Sequence, residues 1–298
     1  MKESSKKFWD NRNVFITGST GLLGSWITKY LVEMNANVIV LIRKDVPKPF
    51  AKTFSKVKIV RGDVSNYDVV LSALKQNKIE TVFHLAAQTI SPVANKNPLA
   101  TFETNIKGTW IVLEACRNTP GIGRIIIPSS DKAYGEDEPL PYTEESRLTA
   151  KRPYTVSKSC ADLIAQTYIA TYDLPICITR CGNFFGGGDL LFSRLVPSVI
   201  KAGFLNEELV IRSDGKFTRD FLYVEDGALA TLALAELMDK KNIRGQSFNF
   251  SYESPLTVLE FVELILKKIK SPVSPKVLGL KLNEVRDQYL SSEKQKEY

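Results

Sequence analysis

From the N-terminus to Arg180 the apolar residues fall into two alternating patterns. Short unbroken apolar runs lie at Val14 to Thr17, Val38 to Ile42, Val57 to Val60, Thr81 to His84, Arg124 to Pro128 and Ile176 to Arg180. Their length suits strands covered on both faces. After the first run, Leu22, Leu23, Trp26, Ile27, Tyr30, Leu31 and Met34 recur at helical spacing. Further helices are predicted from about Asn66 to Gln76, Pro98 to Arg117 and Pro153 to Tyr172. Repeated strand–helix–strand units predict an α/β fold, a doubly wound parallel sheet with helices on both faces.

Beyond Gly186 the pattern loosens. Helices are predicted at Leu191 to Lys201, Val224 to Met238 and Thr257 to Lys268, with short strands at Leu209 to Arg212 and Ser247 to Phe250. This predicts a sheet domain over 1–186 and a smaller α/β lobe over 187–298, packed on the carboxyl ends of the strands. The boundary is soft, because later segments can return to complete the sheet.

A chain of 298 residues is long enough for one large core and a lobe. Its net charge of +7 comes from scattered lysines, not from basic blocks interleaved with aromatics. That argues against nucleic acid and suits a substrate carrying a diphosphate. The segment Met1 to Asp10 lacks the apolar stretch of a secretory signal, and no apolar run is long enough for a transmembrane helix. The cysteines (Cys116, Cys160, Cys177, Cys181) form no CxxC pair, and His84 is the single histidine. No disulfide framework, metal site or membrane association is therefore expected, and the expected compartment is the reducing cytoplasm.

Thr17-Gly18-Ser19-Thr20-Gly21-Leu22-Leu23-Gly24 joins the first strand to the first helix. Glycines there allow a tight turn and close backbone approach, and the amides opening the helix favour a pyrophosphate. A glycine turn by itself is weak evidence, but a preceding apolar strand and a following amphipathic helix strengthen it. Tyr154 and Lys158 lie four residues apart and so share a helix face. A neighbouring ammonium is expected to lower the tyrosine pKa and make it a usable base. YxxxK alone is a common surface pattern; following a strand and Ser129-Ser130-Asp131-Lys132, it carries more weight.

The GxxGxxG spacing and the YxxxK pair resemble the short-chain dehydrogenase/reductase superfamily, in its extended NAD-dependent epimerase/dehydratase branch. Gly62-Asp63-Val64, His84-Leu85-Ala86-Ala87-Gln88 and Asn105-Ile106-Lys107-Gly108-Thr109 match further segments in order, so the resemblance covers nearly the whole chain. It implies a Rossmann-like fold whose cofactor is held by Gly18, Thr20, Gly21, Leu22, Leu23, Gly24, Asp63, Val64, Leu85, Ala86, Ala87, Asn105, Tyr154 and Lys158. It also implies that Ser130 bonds the sugar hydroxyl that Tyr154 deprotonates.

Ser130-Asp131-Lys132 resembles the CDP-glucose 4,6-dehydratases, in which an acid after the serine helps expel the C6 hydroxyl as water. Phe8-Trp9, Gly24-Ser25-Trp26 and Gly186-Gly187-Gly188-Asp189 add to that resemblance. It implies a catalytic set of Ser130, Asp131, Lys132, Tyr154 and Lys158, with Lys132 where relatives hold the C5 base. An ammonium serves as a base only if desolvation or a like charge lowers its pKa. A nucleotide-sugar 4-epimerase, which needs Tyr154 and Lys158 but not Asp131, remains open, as does an inactive cofactor-binding paralogue.

The resemblance further implies that the substrate, a nucleotide-diphosphate sugar, is gripped by Gln88, Ser130, Asn183, Arg212, Arg219 and Arg286. NAD is the expected cofactor, because the reaction returns its own hydride. Arg43 and Lys44, at the end of the second strand, leave NADP possible through its 2′-phosphate, and Asp45 could reach the ribose instead. Relatives pair through the helices at Pro98 to Arg117 and Pro153 to Tyr172, implying a homodimer, and they continue beyond the point matching Tyr298 with a further helical segment.

Overall fold

The computed structural model describes residues 3–43, 46, 48–240, 242–281 and 284–298. Lys44 and Asp45, both weighed for the adenosine ribose, lie outside the described residues.

Among the described residues the main sheet has seven strands, all parallel: β1 (Asn13–Thr17), β2 (Asn37–Ile42), β3 (Lys58–Arg61), β4 (Thr81–His84), β5 (Arg124–Pro128), β6 (Ile176–Cys181) and a last strand, Ser247–Phe250. Their order is Ser247–Phe250, β6, β5, β4, β1, β2, β3. The inner strands are buried along most of their length, which is why they read as unbroken apolar runs; edge strand β3 is largely exposed. One face is filled by Ile27, Leu31, Phe83, Leu232 and Phe248, with Trp9 of the N-terminal helix Glu3–Trp9. Phe15, Val82, Val112, Leu113 and Ile125 fill the other.

The chain winds outward from β1 through β2 to β3, then crosses back to β4 beside β1. Ligands in open α/β sheets bind outside the carboxyl ends of strands at such a reversal. Leu85 N donates to Thr17 O (3.1 Å) and Ala86 N to Thr17 Oγ1 (3.2 Å), so the exits of β1 and β4 are tied together there.

The expected single helix from Pro98 to Arg117 is instead Pro98–Phe102, a π-helical turn Glu103–Lys107 and Gly108–Arg117. Such a turn carries one extra residue and is frequent at functional sites; here it carries Asn105. The helix expected from Leu191 to Lys201 runs Leu195–Leu205, because Arg194 is still extended and Pro197 takes a place in the first turn.

The chain beyond residue 186 divides between sheet and lobe. Helix Val224–Leu237 packs beside helix Leu22–Glu33 on the main sheet, and Ser247–Phe250 extends that sheet next to β6. The lobe has its own small core of Val199, Leu209, Ile211, Val262 and Leu266. Strand β7 (Asn183–Phe185) leads out of the sheet, and β8 (Val210–Ile211), β9 (Thr218–Arg219) and β10 (Phe221–Tyr223) follow. With Ser247–Phe250 counted as β11, the later strands are β12 (Leu256–Thr257), β13 (Lys276–Val277) and β14 (Asp287–Gln288). β10 pairs with β7, β13 with β8, and β9 lies between β12 and β14. No described helix is long and apolar enough to cross a membrane.

Candidate active site

The glycine turn packs as a cofactor cradle requires. Gly18 has φ +71°, and a Cβ there would lie 2.5 Å from Ala86 N and Leu85 C. A Cβ on Gly24 would overlap the Gly18 carbonyl. Gly21 N donates to Gly18 O (3.0 Å), closing the turn, and Gly21 caps helix Leu22–Glu33 with no side-chain hydrogen bond to its amides. Backbone N–H groups at Leu22, Leu23 and Gly24 thus open a helix that no side chain caps, the arrangement that attracts phosphate. The Ser19 hydroxyl, buried in the same turn beside Thr20, has no hydrogen-bond partner among the described residues.

At the far side of this cleft, Arg43 donates to Asp63 Oδ2 (3.1 Å), while Asp63 Oδ1 accepts from Ser65 N and Oγ. These bonds hold the Asp63 carboxyl below its ordinary range, although burial acts in the opposite sense. Val64 is buried against Gly108, where a Cβ would meet it at 2.8 Å. Asn105 Nδ2 donates to Gln88 O (2.9 Å) and Ser157 Oγ (2.9 Å), and its Oδ1 accepts from Gln88 N (2.7 Å). The π-helical turn therefore fixes the segment Leu85, Ala86, Ala87 and Gln88 against the helix bearing Tyr154. His84, expected at the strand end, is a buried strut between Thr17 Oγ1 (2.8 Å) and Thr109 Oγ1 (3.1 Å), and burial pushes its pKa down to about 3.

Of the residues expected to be catalytic, Ser130, Asp131, Lys132 and Tyr154 lie together. Ser130 ends the extension of β5 and caps the short turn Asp131–Ala133, accepting from Lys132 N (3.2 Å). Its hydroxyl donates to Asp131 Oδ1 (2.8 Å), and Ser130 also acts to lower the pKa of Tyr154, near the start of helix Pro153–Tyr172. Serine and acid are bonded to each other, and both act on the tyrosine. Asp131 is 1% exposed, its Oδ2 has no partner among the described residues, and burial raises its pKa. For Lys132, desolvation lowers the pKa, with Arg219 and Arg194 as like charges acting the same way and Asp131 opposing.

One expectation is overturned. Tyr154 is not lowered by Lys158; burial first, and then the charge of Asp131, push it up to about 12. Lys158 Nζ donates to Pro128 O (2.8 Å), and burial brings the lysine down to about 8. With its ammonium weakened by desolvation and bonded to a carbonyl, Lys158 does not offset the cost of a buried phenolate.

The residues expected to grip a substrate divide. Asn183 N donates to Asp220 O (2.7 Å) at the start of β7. Arg219 is buried beside Asp131, but its guanidinium donates to the carbonyls of Thr218, Val285 and Arg286 at 2.7–2.8 Å, making it first a brace for the C-terminal segment. Gln88 folds its amide back onto Ile90. Arg212 is exposed, and exposed Arg286 stands beside Asp287 (3.9 Å). Among the described residues no hydrogen bond or ion pair joins either to Ser130, Asp131 or Tyr154.

Arg194 was missed from the sequence. It bridges Asp189 Oδ2 (3.4 Å) and Thr89 Oγ1 (3.2 Å), and its charge acts on both Tyr154 and Lys132. Nothing in its local sequence separates it from a solvated arginine; only the folding of the lobe over the β4 exit brings it near.

Residues 14–249 match the model of the NAD dependent epimerase/dehydratase family. The chain is 31% identical to the CDP-glucose 4,6-dehydratase of Salmonella typhimurium over 222 residues, 70% of this chain and 62% of that enzyme. A solved epimerase from Methanothermobacter thermautotrophicus superposes with a TM-score of 0.90 at 25% identity, covering 99% of this chain and 88% of that one. MoeE5, solved in complex with UDP-glucose and NAD, gives 0.84 at 25% identity, covering 96% and 91%. With its doubly wound sheet, glycine cradle and Tyr154–Lys158 pair, the chain belongs to the NAD dependent epimerase/dehydratase family.

Proposed function

We propose that the protein is a nucleotide-sugar 4,6-dehydratase, converting CDP-glucose or a similar nucleotide hexose to its 4-keto-6-deoxy form. The observation that carries this reading is the buried, hydrogen-bonded pair Ser130–Asp131 beside buried Tyr154, in which an acid with a raised pKa acts on the tyrosine. Oxidation at C4 alone would not need that acid.

NAD is the proposed cofactor. Gly18, Gly21 and Gly24 leave room for the pyrophosphate at an uncapped helix start, and the segments around Asp63 and Leu85 to Ala87 flank it. Arg43 is paired with Asp63 at 3.1 Å, which offsets part of its charge, although both side chains stay exposed. MoeE5 binds NAD in its solved complex. When bound, NAD supplies a hydride acceptor for C4, a ring charge that favours phenolate, and the return of the hydride to C6. Titrating apo-protein with both dinucleotides checks the choice; tighter NADP would reverse it.

Tyr154 accepts the C4 hydroxyl proton while Ser130 holds that oxygen. A ketone at C4 acidifies C5, and Lys132, its pKa lowered, takes the C5 proton and returns it to C5 once C6 has regained hydride. Asp131 gives its proton to the departing C6 hydroxyl. Arg194 and Arg219 present positive charge to the substrate's diphosphate end. We also propose a homodimer: Leu99 (72% exposed), Trp110 (41%) and Leu163 (50%) form apolar surface on helices Pro98–Phe102, Gly108–Arg117 and Pro153–Tyr172.

Incubation with CDP-glucose, UDP-glucose, dTDP-glucose and GDP-mannose tests the reaction. Alkaline ultraviolet absorbance from a keto sugar is expected; silence across the panel refutes it. Inversion at C4 without water loss would instead establish the epimerase reading, which the 0.90 superposition on an epimerase favours.

A further inference from the structure

Asp220 stands where the chain passes from one sheet to another. β9, in the lobe's sheet with β12 and β14, ends at Arg219, and β10, paired with β7 beside the main sheet, begins at Phe221. The one residue between them is fully buried and acidic. Its carbonyl accepts from Asn183 N (2.7 Å). Its Oδ2 accepts from Leu290 N (3.3 Å), just past β14, and from the hydroxyl of Ser251, just past β11. A single carboxyl therefore joins the C-terminal segment, the seventh strand of the main sheet and the strand that bears Arg219.

The fit around it is close. A Cβ on Gly182 would lie 2.8 Å from the Asp220 carbonyl oxygen and 3.1 Å from its Cβ. Among the described residues Oδ1 is buried with no hydrogen-bond partner. A half-satisfied buried carboxyl is a poor choice for packing alone, and breaches of that rule collect at functional sites. Arg219, its neighbour, braces the carbonyls of Val285 and Arg286 and places positive charge on Asp131.

We infer that Asp220 is a positioning residue for the proposed dehydration, on which its catalytic role depends: its carboxylate holds segment 285–290 and Arg219 in register with the loop Ser130 to Lys132. Burial raises the carboxyl to about 6; the charges of Asp131 and Glu253 act in the same sense, and the bonds from Ser251 and Leu290 oppose it. The Cys181 thiol also faces it. As pH falls through about 6 the carboxylate becomes neutral and its hold on the Leu290 amide weakens.

Asp220→Asn tests this, since its amide oxygen can take both bonds of Oδ2 while the charge is lost. Hydrogen exchange of amides 285–292, corrected for intrinsic rates, is expected to quicken in the wild type as pH falls from about 7 to about 5. In the variant it is fast throughout. With NAD and the nucleotide sugar, KM is expected to rise about tenfold, the worth of one charge-assisted hydrogen bond, with kcat changed less. Ser251→Ala, which removes one donor, should move both readouts the same way and serves if Asp220→Asn fails to fold. Wild-type exchange, KM and pH response in both variants would overturn the inference. A wild type that shows the exchange response but dehydrates no sugar would sink the proposed reaction and leave the hold of Asp220 on the segment standing.

Discussion

Replacing Asp131 by asparagine separates water loss from oxidation. The exchange keeps shape, and the amide oxygen still accepts from Ser130, whose hydroxyl donates to Asp131 Oδ1 at 2.8 Å. What disappears is a transferable proton. A general acid contributes about 10²–10⁴-fold. Because Asp131 is 1% exposed, bulk water has poor access to replace it, which places the loss at the upper end, about 10³–10⁴-fold. That corresponds to about 4–5 kcal/mol of transition-state stabilisation. C4 oxidation, carried by Tyr154 and Ser130, should persist, so reduced cofactor accumulates on the enzyme during a single turnover. Its absorbance, with mass spectrometry of the product sugar, reads the two steps separately. The pH sign follows from burial, which raises the carboxyl and keeps it protonated beyond the ordinary carboxylate range. Water loss should therefore fall as pH rises through that raised value. A variant that dehydrates at the wild-type rate, or wild-type water loss that grows with pH, refutes the acid role.

Other consequences are as direct. Gly18→Ala must adopt φ +71° and set a Cβ 2.5 Å from backbone of Leu85 and Ala86; we expect about 2–5 kcal/mol of lost stability, seen in denaturant titration, and NAD affinity weakened at least about tenfold. Lys158→Met should lower turnover about 10²–10⁴-fold. The folded-state pKa of Lys158 is about 8 against 10.5 ordinarily, so the folded form binds fewer protons in that window and wild-type stability relative to the variant should rise with pH across it, checked by denaturant melts. Leu163→Glu sets a charge on the apolar face proposed to pair two copies; sedimentation should show the dimer weakened about a hundredfold, and an unchanged association would remove that face from the proposal.

The sequence by itself determined what is local. Apolar runs marked β1, β2, β4, β5 and β6, because strands covered on both faces admit few polar residues, and a shorter run marked the exposed edge strand β3; glycine spacing marked the cradle, because no Cβ fits where Gly18 and Gly24 meet neighbouring backbone. The four-residue step from Tyr154 to Lys158 put both on one helix face. Tertiary structure decided whatever depends on partners distant in the chain. Ser247–Phe250 has the same pattern as a lobe strand, and only its pairing with β6 places it in the main sheet. The π-helical turn at Asn105 leaves the apolar spacing nearly unchanged and is set by bonds to Gln88 and Ser157. The tyrosine's pKa went the other way from that expected of a nearby lysine, because charge in a protein interior answers to burial and to every neighbour at once. Arg194, Arg219 and Asp220 acquire their places only when the lobe closes over strands met much earlier in the chain, and no local pattern encodes that approach.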